Sequence, residues 1–82
     1  MAIKTVMVKS VKMEEFKRKL WNDKNAVITT TDGNKWVYSL EYNDRTWKDQ
    51  ADYLDNAKSD FISEADHDIE TTELFYRYDD YK

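Results

Sequence analysis

The 82-residue sequence predicts a single α+β domain, in which a four-stranded antiparallel sheet carries two helices on one face. Three observations lead to this prediction. Two segments place apolar residues at helical spacing, four segments are rich in β-branched and aromatic residues, and an Asp-Gly pair separates two of those four. The segments follow one another as strand, helix, strand, strand, helix, strand.

The first strand and the first helix are predicted within residues 3–22. Residues 3–9 (IKTVMVK) alternate and are rich in β-branched side chains, as in a strand. Ser10 is a suitable N-cap for a helix over residues 11–22. The apolar residues of that helix share one face: Met13, Phe16, Leu20 and Trp21.

A β-hairpin is predicted at the centre of the chain, around Asp32-Gly33-Asn34. A three-residue loop would place Ile28 opposite Tyr38, with Trp36 on the same side of the sheet. A two-residue loop would place Ile28 on the opposite face of the sheet, away from Trp36 and Tyr38. The three-residue loop is therefore the predicted register, because it gathers the large apolar residues on one face.

A second, longer helix is predicted from Trp47 to about Ala65, with Thr46 as its cap. At 100° per residue its apolar residues form one arc: Trp47, Ala51, Leu54, Phe61, Ile62 and Ala65. The opposite face is predicted to carry Asp49, Asp52, Tyr53, Asp60 and Glu64.

The last strand is predicted within residues 69–82, with Leu74, Tyr76 and Tyr78 facing the core. The complete order, βαββαβ, is that of a ferredoxin-like sandwich. The aromatic residues Trp36 and Tyr38 are expected under the helices, because theirs is the more apolar face. An exposed base-stacking platform, as in RNA-recognition modules of the same strand order, is therefore not expected.

The composition excludes several classes of function. The chain has no cysteine, no proline and one glycine, so disulfides, thiolate metal sites and glycine-rich phosphate loops are excluded. No nucleophile arrangement is recognisable, and the acidic cluster around the single histidine, His67, lacks a second histidine and an EF-hand pattern. We therefore expect a non-enzymatic cytoplasmic protein with no cofactor, metal site or membrane partner.

The charge is strongly segregated along the chain. Residues 1–24 hold seven Lys/Arg against three Asp/Glu, whereas residues 46–82 hold four against eleven. Regularly spaced carboxylates on a helix resemble a row of phosphates, and such a row would fit a basic groove. The residues predicted to bind a partner lie on the second helix and in the C-terminal segment: Asp49, Asp52, Tyr53, Asp60, Glu64, Asp79 and Asp80.

In type, the chain resembles the small acidic proteins with which bacteriophages disable host nucleases, including anti-CRISPR inhibitors and DNA mimics. The resemblance rests on small size, the acidic helix WKDQADYLDNAKSDFISEAD and the tail FYRYDDYK. It implies an inhibitor of a host nucleic-acid-processing protein with a basic groove. It implies no particular fold and no transfer of individual residues.

Two alternative hypotheses follow from other features of the sequence. A nucleic-acid-binding module would use the basic residues of the first helix: Lys12, Lys17, Arg18 and Lys19. A structural module would instead form a dimer through an exposed sheet edge.

Overall fold

The structure, a computed structural model, describes residues 7–44 and 46–81. It confirms an α+β fold with a four-stranded antiparallel sheet in the order β1-β2-β3-β4. The elements are β1 (Val8–Lys17), β2 (Asn22–Thr30), β3 (Lys35–Tyr38), a 3₁₀ turn (Tyr42–Asp44), α1 (Gln50–Ala65), β4 (Phe75–Arg77) and a short α2 (Tyr78–Tyr81).

The ferredoxin-like βαββαβ order is not confirmed, because the predicted helix over residues 11–22 is a strand and a turn. Strands β1 and β2 form a hairpin, and the N–H of Arg18 donates to the carbonyl of Trp21 at 2.9 Å to close its turn. Met13 packs on one side of this hairpin and Phe16 on the other. Both faces of β1 therefore carry apolar residues, which gave the sequence a helical spacing. Residues 3–6 of the predicted first strand lie outside the described residues.

The β2–β3 hairpin is present, but its register differs from the prediction by two residues. Ile28 pairs with Trp36 instead of Tyr38. The N–H of Thr30 donates to the carbonyl of Asn34 at 2.9 Å, so the loop encloses residues 31–33 instead of 32–34. Gly33 in this loop has a φ of 90°, a conformation that glycine adopts without strain. A shift of two residues keeps every side chain on its predicted face, and Ile28, Trp36 and Tyr38 are buried together.

Helix α1 covers one face of the sheet. It begins at Gln50, and Asp49 rather than Thr46 is its N-cap, with Oδ1 accepting from the N–H of Asp52 at 2.8 Å. The buried residues of α1 are Tyr53, Ala57 and Phe61, which pack against Ala26, Ile28, Trp36, Tyr38 and Phe75. The buried face is thus rotated from the predicted arc, since Ile62 is 47 % exposed and Tyr53 is fully buried.

Helix α2 packs on the opposite face, so the prediction of two helices on one face is wrong. Tyr78 and Tyr81 contact a second apolar cluster formed by Phe16, Val27 and Val37. Adjacent residues of a strand point to opposite faces, which separates Val27 from the α1 cluster of Ile28. The sides of β4 are the reverse of the prediction, because Phe75 is buried and Tyr76 is 48 % exposed. Leu74, just before β4, packs against the α1 cluster as predicted.

Candidate interaction surfaces

Tyr53, predicted on the partner-binding face, lies at the centre of the core. Its hydroxyl accepts from the N–H of Ala26 at 2.9 Å and donates to the carbonyl of Leu40 at 2.6 Å. Burial raises the pKa of Tyr53 well above its ordinary value, because the tyrosinate would lose its hydration. The side chain is 0 % exposed and is not available to a partner.

Asp60 is half-buried and accepts a hydrogen bond from the hydroxyl of Tyr38 at 2.5 Å. Burial, together with this hydrogen bond, raises the pKa of Tyr38. One carboxylate of the predicted partner surface therefore also fixes α1 to β3. A substitution at Asp60 would change packing as well as surface charge, which limits its use as a probe of binding.

The remaining predicted acids of α1 lie along one side of the helix. Asp52, Asn56 and Asp60 are spaced by four residues and therefore align. Asn56 donates to the Asp52 carbonyl at 2.9 Å, so a neutral amide occupies the turn between the two carboxylates. We call Asp49, Asp52, Asp60 and Glu64 the acidic row; it borders the buried face of α1 instead of opposing it.

The C-terminal acids are held in place by the tyrosines on either side of them. Asp79 and Asp80 are exposed on α2. The Tyr78 hydroxyl donates to Glu14 Oε1 at 2.5 Å, and the Tyr81 hydroxyl lies 3.2 Å from Asp23 Oδ2. The tyrosines thus attach α2 to the sheet, while the two aspartates face solvent.

A cleft of about 520 Å³ separates the β2–β3 loop from the segment that follows α1. Trp36 and Phe61 line it together with His67 and the acidic residues Asp32, Asp66, Asp68 and Glu70. These four acids are not among the residues that the sequence predicts to bind a partner. The signal that could have found three of them is the richness of residues 64–70 in acidic side chains. Within the described residues, no group of His, Cys, Asp and Glu is arranged to hold a metal ion.

Arg77 shows how a cation is accommodated next to this cleft. Its guanidinium carbon lies 5.4 Å from the centroid of the Trp36 ring, and it forms an ion pair with Glu70. An aromatic face beside a carboxylate binds guanidinium groups by cation–π and Coulomb attraction.

The basic residues predicted to bind nucleic acid do not form one surface. Lys12 lies in the middle of β1, opposite Val27, whereas Lys17, Arg18 and Lys19 lie at the end of the β1–β2 hairpin. Arg18 is engaged internally: its Nε lies 3.2 Å from Asp23 Oδ2, and its guanidinium carbon lies 4.5 Å from the Tyr81 ring centroid.

The two hairpins at opposite ends of β2 differ in charge. Lys17, Lys19 and Lys24 are exposed near the β1–β2 turn. The acidic cleft adjoins the β2–β3 loop, and Asp79 and Asp80 line a smaller depression beside Gly33 and Lys35 of that loop region. Strand β2 is nine residues long, about 30 Å, so the charge is segregated in space as well as in sequence.

Comparisons with protein-family models, curated proteins and solved structures found no match to this chain. Among the described residues, no helix has both the length and the apolar character required to cross a bilayer.

Proposed function

We propose that this chain is a non-enzymatic interaction protein that inhibits a nucleic-acid-binding host protein, such as a nuclease, by occupying its basic groove. The acidic row and the C-terminal acids Asp79 and Asp80 would form the contact, joined by the acids of the cleft. Carboxylates would take positions that phosphates occupy in the natural ligand, and long-range attraction would speed association.

The observation that carries this proposal concerns the ion pairs among residues 7–44 and 46–81. No Lys or Arg of the described residues forms an ion pair with the acidic row, Asp79 or Asp80. Like charges left unpaired on one surface destabilise a fold by mutual repulsion, and a basic partner would relieve that repulsion.

The contact of Arg77 with Trp36 and Glu70 supports the same partner chemistry. It places a guanidinium against an aromatic ring and a carboxylate within the chain itself. Arginine is common in grooves that bind nucleic acid, because its planar fork matches phosphate geometry. A partner arginine would find a similar environment in the adjacent acidic cleft.

The proposal is tested by pull-down from host lysate at low and moderate salt, with and without nuclease. We expect a stoichiometric protein partner that survives nuclease treatment and is released by salt, because the contact is electrostatic. Recovery of nucleic acid alone, lost on nuclease treatment, would contradict the proposal and favour the nucleic-acid-binding hypothesis with Lys17 and Lys19.

A charge-reversed variant identifies the surface. The double substitution Asp52→Lys with Glu64→Lys changes the acidic row and spares Asp60, which contacts Tyr38. Its matched control, Asp55→Lys with Glu73→Lys, changes two exposed acids outside the row. Each double variant raises the formal net charge from −4 by four units, to zero. Loss of the partner only in the first variant is expected, and equal loss in both would mean that total charge, not the row, governs binding.

The dimer hypothesis is tested by light scattering of the purified protein. Among the described residues, β1 and β4 are the two edge strands of the sheet. A second copy would extend the edge of β1, because β1 has ten residues and β4 only three. A monomer at all concentrations would remove this hypothesis.

A further inference from the structure

The β1–β2 hairpin exposes two large apolar side chains at its end. Leu20 is 86 % exposed and Trp21 is 57 % exposed. Among the large hydrophobic residues that the structure describes, Leu20 is the most exposed. Both lie in the turn between Lys17 and Asn22, the terminal pair of the β1–β2 ladder. We call residues 17–22 the hairpin tip. An apolar pair at such an end gains nothing from exposure to water and indicates a contact.

The hairpin tip is held in shape by residues behind it. Asp23 is 4 % exposed and pairs with Arg18, whose guanidinium stacks on Tyr81 of α2. Phe16, opposite Asp23 in the ladder, is buried against the Tyr81 ring, with centroids 4.8 Å apart. The tip therefore projects from a supported base, and its order does not depend on burying Leu20 or Trp21.

Lysines surround the apolar pair. Lys17, Lys19 and Lys24 are all exposed. Within residues 17–24 the one acidic residue, Asp23, is buried and paired with Arg18. The exposed Glu15 lies opposite Lys24 in the β1–β2 ladder, so Lys17 and Lys19 are the lysines at the tip with no acid opposite them. Long lysine side chains can extend past apolar neighbours to reach an anionic surface.

We propose that the hairpin tip docks on an anionic lipid surface, with Leu20 and Trp21 inserted at the bilayer interface and the lysines on the head groups. Tryptophan is enriched at that interface, and an aliphatic side chain beside it gains by entering the acyl region. Anionic lipid attracts each lysine close to the surface. The lipid surface is favoured over nucleic acid because Leu20, the more exposed residue, offers no ring for base stacking. The basic residues also form a point rather than a track, since Lys12 lies away from the tip.

The test measures co-sedimentation of the full chain with vesicles of phosphatidylglycerol and phosphatidylcholine, compared with vesicles of phosphatidylcholine alone. We expect binding only to the anionic vesicles, weakening as salt is added. The variant Leu20→Ser with Trp21→Ser should lower the binding constant at least about tenfold. The control Ile62→Ser removes an apolar side chain that is 47 % exposed on α1, and it should bind like the natural sequence.

A second pair of variants tests the charge. Lys17→Gln with Lys19→Gln should weaken binding by about fivefold per lysine at low salt. Lys48→Gln with Lys58→Gln gives the same change in net charge elsewhere and should have little effect. Unfolding in urea confirms that each variant is folded. The fluorescence of Trp21 in the folded protein is obtained by subtracting the spectrum of Trp21→Phe from that of the natural sequence, and it reports binding at the tip.

Three results would overturn the proposal. One is a failure of the natural sequence to bind anionic vesicles, and another is equal weakening in the tip variant and in Ile62→Ser. The third is binding of Trp21 to a single-stranded oligonucleotide with no binding to vesicles, which would make the tip a nucleic-acid contact. The inference is independent of the proposed inhibitor function, because Asp52→Lys with Glu64→Lys should leave vesicle binding intact.

Discussion

Tyr53→Phe removes one oxygen atom from the point where α1, β2 and the chain after β3 meet. The paired part of β2 and β3 extends from residue 27 to residue 29 of β2, so the N–H of Ala26 has no partner on β3 in that ladder. The Tyr53 hydroxyl accepts from it at 2.9 Å and donates to the Leu40 carbonyl at 2.6 Å. Phenylalanine fills nearly the same volume but leaves both backbone groups without this partner.

The expected loss of stability follows from the two broken contacts. Ala26 is 0 % exposed, and a buried donor without a partner costs about 1–3 kcal/mol. Leu40 is 37 % exposed, so water can reach its carbonyl and the loss there is about 0.5–1.5 kcal/mol. The sum is about 1.5–4.5 kcal/mol, a large part of the ~4–12 kcal/mol expected for a domain of 82 residues.

Urea unfolding followed by circular dichroism measures this effect. At a slope of ~1.5 kcal/mol per molar urea, the midpoint should fall by about 1–3 M without a change in slope. The control is Tyr42→Phe, because the Tyr42 ring also packs on Tyr53, while its hydroxyl forms no hydrogen bond with the described residues. If both variants shift the midpoint equally, the hydroxyl of Tyr53 does not hold the core as we argue.

Three further predictions concern stability. Gly33→Ala should lower the free energy of unfolding in urea by about 1 kcal/mol, and Gly33→Asn should lower it less. The reason is the φ of 90°, which strains alanine even though an added Cβ meets nothing within 4 Å. Equal stability of all three proteins would contradict this prediction. Arg18→Met should lower the urea midpoint, because it leaves the buried Asp23 carboxylate without its ion-pair partner. The double variant Arg18→Met with Asp23→Asn should recover most of this loss. A double variant as unstable as Arg18→Met would refute the prediction. The pKa values of Tyr38 and Tyr53 are raised in the folded state, so below pH 10.0, the ordinary tyrosine pKa, their contribution to stability is fully present. The free energy of unfolding should therefore fall as pH rises above about 10; a value unchanged between about pH 8 and about pH 11 would count against their burial.

The first hairpin shows why part of the fold could not be predicted from the sequence. The segment EEFKRKL has high helical propensity, and Glu14 and Arg18 have the spacing of a helical ion pair. In the structure Glu14 accepts from Tyr78, and Arg18 pairs with Asp23. Contacts that are distant in sequence therefore override a local preference. The β2–β3 hairpin was predictable because its signal, Asp-Gly between two β-rich runs, is local.

The candidate surface could be predicted only in part, because its charge is a property of the local sequence whereas the burial of Tyr53 depends on residues distant in sequence. The richness of residues 46–82 in acidic side chains is a property of the sequence alone, and the structure leaves Asp79 and Asp80 exposed as expected. The helical spacing predicts Tyr53 on the outer face, because it lies outside the arc of Trp47, Leu54, Phe61 and the other apolar residues. Its hydroxyl is compatible with burial only because Ala26 and Leu40 supply hydrogen-bond partners, which the sequence does not reveal. The sequence predicts Leu20 and Trp21 on the apolar face of a helix. In the structure they lie in the turn of the β1–β2 hairpin and are exposed.

The proposed inhibitor function is tested most directly by competition once a partner is captured. The partner's affinity for this protein is measured with increasing amounts of the nucleic acid that the partner binds. If the acidic row occupies the basic groove, binding should be mutually exclusive, and Asp52→Lys with Glu64→Lys should weaken it far more than Asp55→Lys with Glu73→Lys. A stable ternary complex of protein, partner and nucleic acid in that groove would contradict the central claim.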